Sequence, residues 1–325
     1  MKDRQDFRIV FMGTPDFAVP SLRVLHEASY TISAVVTAPD KPQGRGLKLK
    51  SSPVKEFALQ LKLPVLQPPN LKDKALLTEL MHFNADLFVV AAFRMLPEKI
   101  WAMPEFGCIN LHASLLPQYR GAAPINWAII NGEATTGVST FFIEREIDTG
   151  HIIMQESVDI QPDETAGELH YRLMLAGASL LLKTVDAIRQ GNAEITAQKI
   201  LTTGIDTLKM APKIHKTDCR INWTWPTATI HNFIRGLSPY PGAYTRFVSS
   251  DGKIYDVKIY KSKLCDEHFS SPPGKLIVAD RNTRLFVNTA DGWIELLEMQ
   301  IQGKTRMTVH ALLRGTPIAN DWNIE

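Results

Sequence analysis

Residues 8–25, RIVFMGTPDFAVPSLRVL, read as a strand, a tight turn and a helix in immediate succession. Arg8 to Met12 is a short apolar run, and Gly13-Thr14-Pro15 breaks it. Asp16 is then placed to cap a helix carrying Phe17, Val19, Leu22 and Leu25 on one side. Outward from this unit the pattern repeats. Strands are expected at Ile32 to Thr37, Pro64 to Leu66 and Leu87 to Phe93, with helices at Pro53 to Leu61 and Asp73 to Met81 between them. Alternating helices and near-continuous apolar strands bury a parallel sheet on both faces. The expected fold class is therefore α/β, with a doubly wound, Rossmann-like first domain. The turn at Gly13 has one glycine where a dinucleotide fingerprint needs three, so NAD is not expected there. Ligands of such sheets gather outside the carboxyl ends of the strands.

A second stretch supplies chemistry at such an end. CINLHASLLPQYRGAAPINWAIINGEATTGVSTFFIEREIDTGH, residues 108–151, opens on a strand in which Asn110 and His112 share parity and so leave one face together. Pro117 ends that strand and stiffens the loop Ser114-Leu115-Leu116-Pro117. Gly137 to Ile143 reads as another strand, after which the turn at Asp148-Thr149-Gly150 can return a carboxylate toward His112. Each of these residues singly has a structural explanation. Together, an amide, an imidazole and a carboxylate beside a rigid apolar loop suit acyl transfer.

Composition bounds the alternatives. The chain has 325 residues, 45% of them hydrophobic, enough for two domains with full cores. No run approaches the roughly 18 apolar residues of a membrane span. Met1 to Phe7 is polar and Arg8 to Met12 is too short for a signal core, so a cytoplasmic protein is expected. Cys108, Cys219 and Cys265 are far apart and odd in number, suiting neither a disulfide framework nor a metal clip. The formal charge of +2 conceals a division: residues 1–200 hold 20 Lys and Arg against 22 Asp and Glu, and residues 201–325 hold 16 against 12. A basic second half permits a nucleic-acid partner without requiring one.

The later chain reads as a helix over Asp163 to Arg189, a polar and weakly patterned linker near 191–210, and a second domain over 211–325. Short strands at Tyr244 to Val248, Lys253 to Lys261, Gly274 to Ala279, Arg284 to Thr289 and Trp293 to Gln300 suggest a small barrel. Trp223, Trp225 and Trp293 are assigned to its core.

CINLHASLLPQYRGAAPINWAI, IDTGHII, VFMGTPDFAVPSL, LSPYPGAYT and the basic APDKPQGRGLKLKSSPVK at 38–55 together resemble the methionyl-tRNA branch of the folate-dependent formyltransferase superfamily. The resemblance covers nearly the whole chain. It implies a formyltransferase domain over 1–190 and an OB-like, tRNA-binding domain over 211–325. The implied formyl donor is 10-formyltetrahydrofolate, a consumed cosubstrate, and the implied acceptor is the α-amine of initiator methionyl-tRNA. No metal, no membrane and a monomer are expected. Asn110, His112 and Asp148 would be catalytic, with Asn110 and a protonated His112 as oxyanion donors and Asp148 orienting the imidazole. Phe93, Arg94, Met95 and Leu96, with Ser114, Leu115, Leu116 and Pro117, would line the pterin site. The family often has Tyr-Gly where this chain has Phe93-Arg94. Lys41, Arg45, Lys48 and Lys50 would meet the tRNA, Arg45 sensing the end of the acceptor stem. The alternatives are a sister formyltransferase acting on a small-molecule amine, a formyltetrahydrofolate hydrolase, and an RNA-binding module with a decayed sheet domain.

Overall fold

The computed structural model describes residues 2–43, 48–201, 207–265, 271–316 and 318–325. The chain forms two compact units: Met1–Gly121 with Thr136–Val158 and His170–Met210, and Ala122–Thr135 with Asp159–Leu169 and Ala211–Glu325.

The first unit is built on a seven-stranded sheet. Its strands are β1 (Arg8–Gly13), β2 (Thr31–Val36), β3 (Val65–Leu66), β4 (Leu87–Ala91), β5 (Cys108–His112), β6 (Thr135–Phe142) and β7 (Ile152–Asp159), in the order β7-β6-β5-β4-β1-β2-β3. The β5, β4, β1, β2 and β3 neighbours pair in parallel, as the alternation of apolar strands and helices requires. β6 departs from the expected parallel pattern and runs antiparallel to β5, which makes the sheet mixed. The turn at Gly13 is tight for a packing reason. A Cβ there would lie 2.7 Å from the Ala18 Cβ and 3.1 Å from the Ala91 carbonyl. The Asp16–Ala18 segment is a single 3-10 turn, and the helix proper runs Val19–Glu27 without a side-chain cap. Asp16 instead accepts from the Phe17 amide at 3.0 Å.

The two sheet faces are covered differently. Val10, Met12, Phe88, Val90 and Cys108 share one face and pack with Leu76 and Leu80 of the helix Lys74–His82 and with Ile100. On the opposite face Leu111 meets the long helix Ala166–Gln190 at Gly177, where a Cβ would come within 2.9 Å of the leucine. Thr140 bonds Thr184 of that helix at 2.8 Å. Burial pushes the Cys108 thiol well above its ordinary range, so it stays a neutral core group.

The second unit contains β8 (Ala243–Val248), β9 (Ile254–Cys265), β10 (Leu276–Ala279), β11 (Arg284–Asn288), β12 (Trp293–Ile301), β13 (Met307–Thr308) and β14 (Asn323–Ile324). They pair in the order β10-β11-β12-β9-β8-β14, with β13 on β12, and every pairing is antiparallel. The two end strands meet through an antiparallel bridge between Lys275 and Asn323, which rounds the sheet into a small barrel. Its core takes Phe247, Val257, Ile259, Leu285, Val287, Ile294 and Leu296, together with Ile230 and Ile234 of the helix Thr227–Gly236. Trp223 and Trp293 are buried, and the Trp223 indole donates to Thr245 Oγ1 at 3.0 Å. In this unit Thr165 and Glu168 cap the start of the helix Ala166–Gln190 reciprocally. The Thr165 amide donates to Glu168 Oε2 at 2.8 Å, and the Glu168 amide donates to Thr165 Oγ1 at 3.3 Å.

Candidate active site

Three strands of the first unit end level with one another, Gly13 pairing with Ala91 and Ala91 with Leu111. Beyond this edge lie the turn Phe93 to Leu96, after β4, and the loop Ser114 to Pro117, after β5. Leu111 faces the long helix, so the strand's alternation turns Asn110 and His112 to the other face. Asn110 is half-buried, and its amide has no side-chain hydrogen bond among the described residues.

His112 is buried, 6% exposed, and both ring nitrogens face acceptors. Nε2 lies 2.9 Å from the Tyr119 carbonyl oxygen. A carbonyl can only accept, so this nitrogen carries a hydrogen. Nδ1 lies 3.8 Å from Asp148 Oδ2, an ion-pair distance too long for a direct hydrogen bond. A protonated Nδ1 can therefore attract the carboxylate and still donate to a third group.

Asp148 reaches this position by an unusual route. Phe142, the last residue of β6, pairs with Ile109 at the amino end of β5, so residues 143–148 double back to meet His112. Asp148 has φ of +55°, a left-handed conformation that non-glycine residues seldom adopt. Its Oδ2 accepts from the Gly121 amide at 3.0 Å. Two residues on, Gly150 permits a close approach: a Cβ there would lie 1.8 Å from the Phe142 carbonyl oxygen.

The Ser114–Pro117 loop is pinned by polar groups of β6 and β7. Ser139 Oγ donates to the Ser114 carbonyl at 2.6 Å and accepts from the Leu116 amide at 3.1 Å. Gln155 Nε2 donates to the Leu116 carbonyl at 2.9 Å. Ser114, Leu116 and Pro117 are buried and Leu115 half-buried. Across the edge Phe93 is half-buried, Leu96 buried and Met95 exposed. The Arg94 guanidinium donates to the carbonyls of Pro68 at 2.8 Å and Pro69 at 3.2 Å, which ties it to the neighbouring loop.

Of the basic positions, Lys41 and Lys50 are exposed and directly opposed in a short antiparallel pair formed by Lys41–Gln43 and Lys48–Lys50. Like charges in that register repel, a cost that an anion lying across them would relieve. Lys48 pairs with Gln43 in the same ladder, and Arg45 lies outside the described residues. Lys55 is committed elsewhere, its ammonium 2.6 Å from Asp40.

One residue of this neighbourhood escaped the sequence reading. Gln198, in the stretch read as a linker, is 3% exposed and bonded to Arg120 and to the backbone on either side of Thr149. Its stretch has no apolar period, so only knowledge of its partners could have singled it out. Among the described residues no three His, Cys, Asp or Glu side chains converge on a possible metal position, and no helix is long and apolar enough to cross a membrane.

The family described as formyl transferase matches residues 7–185, and formyl transferase, C-terminal domain, matches residues 213–317. A methionyl-tRNA formyltransferase of Bacteroides thetaiotaomicron is 47% identical over 321 residues, covering 99% of each chain. One from Azobacteroides pseudotrichonymphae is 50% identical over 309 residues, covering 95% of each. Among solved structures, WlaRD, described as a sugar 3N-formyl transferase in the presence of dTDP and 5-N-formyl-THF, has a TM-score of 0.63 at 22% identity. That match covers 92% of this chain and 99% of that one. At such identity the likeness shows the fold alone. Identity near one half along almost the full length is a stronger finding, and by it this chain belongs to the methionyl-tRNA formyltransferase family.

Proposed function

We propose that the protein transfers the formyl group of 10-formyltetrahydrofolate to the α-amino group of initiator methionyl-tRNA, as a monomer in the cytoplasm, where translation begins. The observation that carries this reading is the convergence of Asn110, His112 and Asp148 on one sheet face, between the loop after β4 and the loop after β5. On this reading residues 1–190 hold the chemistry, 211–325 hold tRNA and 191–210 join them.

The reaction needs a neutral amine to attack the formyl carbon. The new C–N bond forms as the carbonyl becomes an oxyanion, and the bond to folate N10 breaks as that nitrogen takes up a proton lost by the amine. A free α-amine titrates near pH 8, and the adjacent ester lowers this further, so a useful neutral fraction exists at about pH 7. Asn110 donates its unengaged amide hydrogens to the developing oxyanion. His112 donates from Nδ1, which its long separation from Asp148 leaves able to serve a second acceptor. Asp148 holds the imidazole in orientation and accepts the amine proton through water. The backbone of Phe93, Arg94, Met95 and Leu96 faces the pterin from one side, and the pinned loop Ser114, Leu115, Leu116 and Pro117 faces it from the other. Lys41, Arg45, Lys48 and Lys50 take the acceptor-stem phosphates.

The test is transfer of label from formyl-labelled tetrahydrofolate to charged initiator tRNA, with elongator methionyl-tRNA, free methionine and an amino sugar nucleotide in parallel. Label on initiator tRNA alone is expected. Label on the small amine would identify a sister transferase, and formate release without transfer would identify a hydrolase.

A further inference from the structure

We propose that Gln198 is a positioning residue for formyl transfer, holding the loop that presents the Asp148 carboxylate to His112; this rests on the function proposed above. The segment before it is fixed to the start of β7, because the Ile152 amide donates to the Thr196 carbonyl at 2.9 Å and the Thr196 amide returns a bond at 2.8 Å. Two residues on, the Gln198 side chain enters the interior. Its Nε2 donates to the Asp148 carbonyl at 2.9 Å and the Gly150 carbonyl at 2.8 Å. Its Oε1 accepts from Arg120 Nε at 3.0 Å and Nη2 at 2.6 Å. A glutamine amide has two hydrogens and two lone pairs, and all four are used here.

The partners show what this clamp controls. Arg120 stands between Tyr119, whose carbonyl holds His112 Nε2, and Gly121, whose amide holds Asp148 Oδ2. Gln198 ties that short segment to the backbone of the Asp148 loop and closes a ring of hydrogen bonds around the His112–Asp148 pair. The loop needs such support, because Asp148 itself occupies a left-handed conformation. The replacements nearest in size or chemistry do not reproduce the clamp. Asparagine is one carbon shorter, glutamate has no hydrogens for the two carbonyls, and leucine leaves both carbonyls and Arg120 unpaired.

The experiment compares Gln198→Leu and Gln198→Glu with wild type and with Asp148→Asn, measuring kcat and KM for formyl-folate and for initiator methionyl-tRNA, with thermal melting of each protein. Gln198→Glu keeps the shape and the Arg120 contact, so it answers the question even where leucine fails to fold. A misplacement near 1 Å costs about 100-fold, so kcat is expected to fall about 10- to 100-fold in both variants, with both KM values held within about twofold. In the Asp148→Asn background the same changes should cost less than about twofold, because the carboxylate they position is already gone. An equal loss in both backgrounds, or a rise in KM without loss of kcat, would show a general structural role and overturn the proposal. Full activity of the glutamate variant beside an inactive Asp148→Asn would also overturn it while leaving the proposed function standing. Full activity of Asp148→Asn would overturn both.

Discussion

Replacing Gly150 with alanine asks how much of the rate depends on where the Asp148 loop lies. The added Cβ would fall 1.8 Å from the Phe142 carbonyl oxygen and 3.0 Å from its carbon. Non-bonded heavy atoms do not approach within about 3 Å, so backbone must separate from backbone by at least about 1.2 Å. No flexible side chain can absorb this. The movement begins two residues from Asp148, whose carboxylate already stands 3.8 Å from His112, and it strains the bond from Gln198 to the Gly150 carbonyl. Displacement on this scale lowers kcat about 100-fold. Steady-state formyl transfer to initiator methionyl-tRNA reads it, with a melting curve as the folding control. Thr149→Ala is the matched comparison: among the described residues its hydroxyl donates to the Glu146 carbonyl alone, at 3.1 Å, and its activity should stay within about threefold of wild type. A folded Gly150→Ala protein with wild-type kcat would refute the view that this loop's placement governs the chemistry.

Asn110→Ala should lower single-turnover formyl transfer about 100- to 1,000-fold with little change in KM, the loss of one oxyanion donor. An unaltered rate would remove Asn110 from the site. Replacing both Lys41 and Lys50 with alanine should weaken tRNA binding and reduce its salt slope by about one unit for each phosphate left without its lysine, while a minimal aminoacyl acceptor reacts as before. Equal damage to both acceptors would place the hairpin in the pocket's service. The Glu168 carboxyl is held below its ordinary value of 4.5, chiefly by the Thr165 amide and next by the Thr165 hydroxyl. Its stabilisation is thus fully present above about pH 4.5 and lost as the pH falls through the lower folded value. The difference in melting temperature between wild type and Glu168→Gln should be small, because the group is largely exposed, and should vanish in acid. A difference that grew with acidity would contradict the sign.

The features read correctly from sequence are those in which neighbouring residues carry their own structural signal. β1, the turn at Gly13 and the following helix were legible because a short apolar run, a glycine and a proline are local features. Asn110 and His112 were legible because strand parity alone puts them on one face. β7 was missed: IIMQESVD over 152–159 alternates in burial only once the sheet exists, and its outward residues are polar enough to resemble a loop. The short helix Pro124–Ile130 was missed because seven residues, nearly all apolar, carry no readable period. Gln198 was illegible for a deeper reason. A buried amide is stabilised by its partners, here Arg120 and two carbonyls near residue 149, and nothing in the local sequence of Ala197 to Lys199 announces them.

The bridge between Lys275 and Asn323 bears on how the barrel is made during synthesis. β8 pairs on one side with β9, its immediate successor, but on the other with β14, near residue 324. Until Asn323 leaves the ribosome, the nascent chain therefore carries an unpaired edge at Phe247 and Val248 of β8, although Arg220 already bridges Tyr244, and another beside Lys275, the kind of surface that recruits a strand from another molecule. Arg246, exposed and 3.0 Å from Asp256, and Lys275 place charge beside those edges, and charge at a sheet edge opposes such pairing.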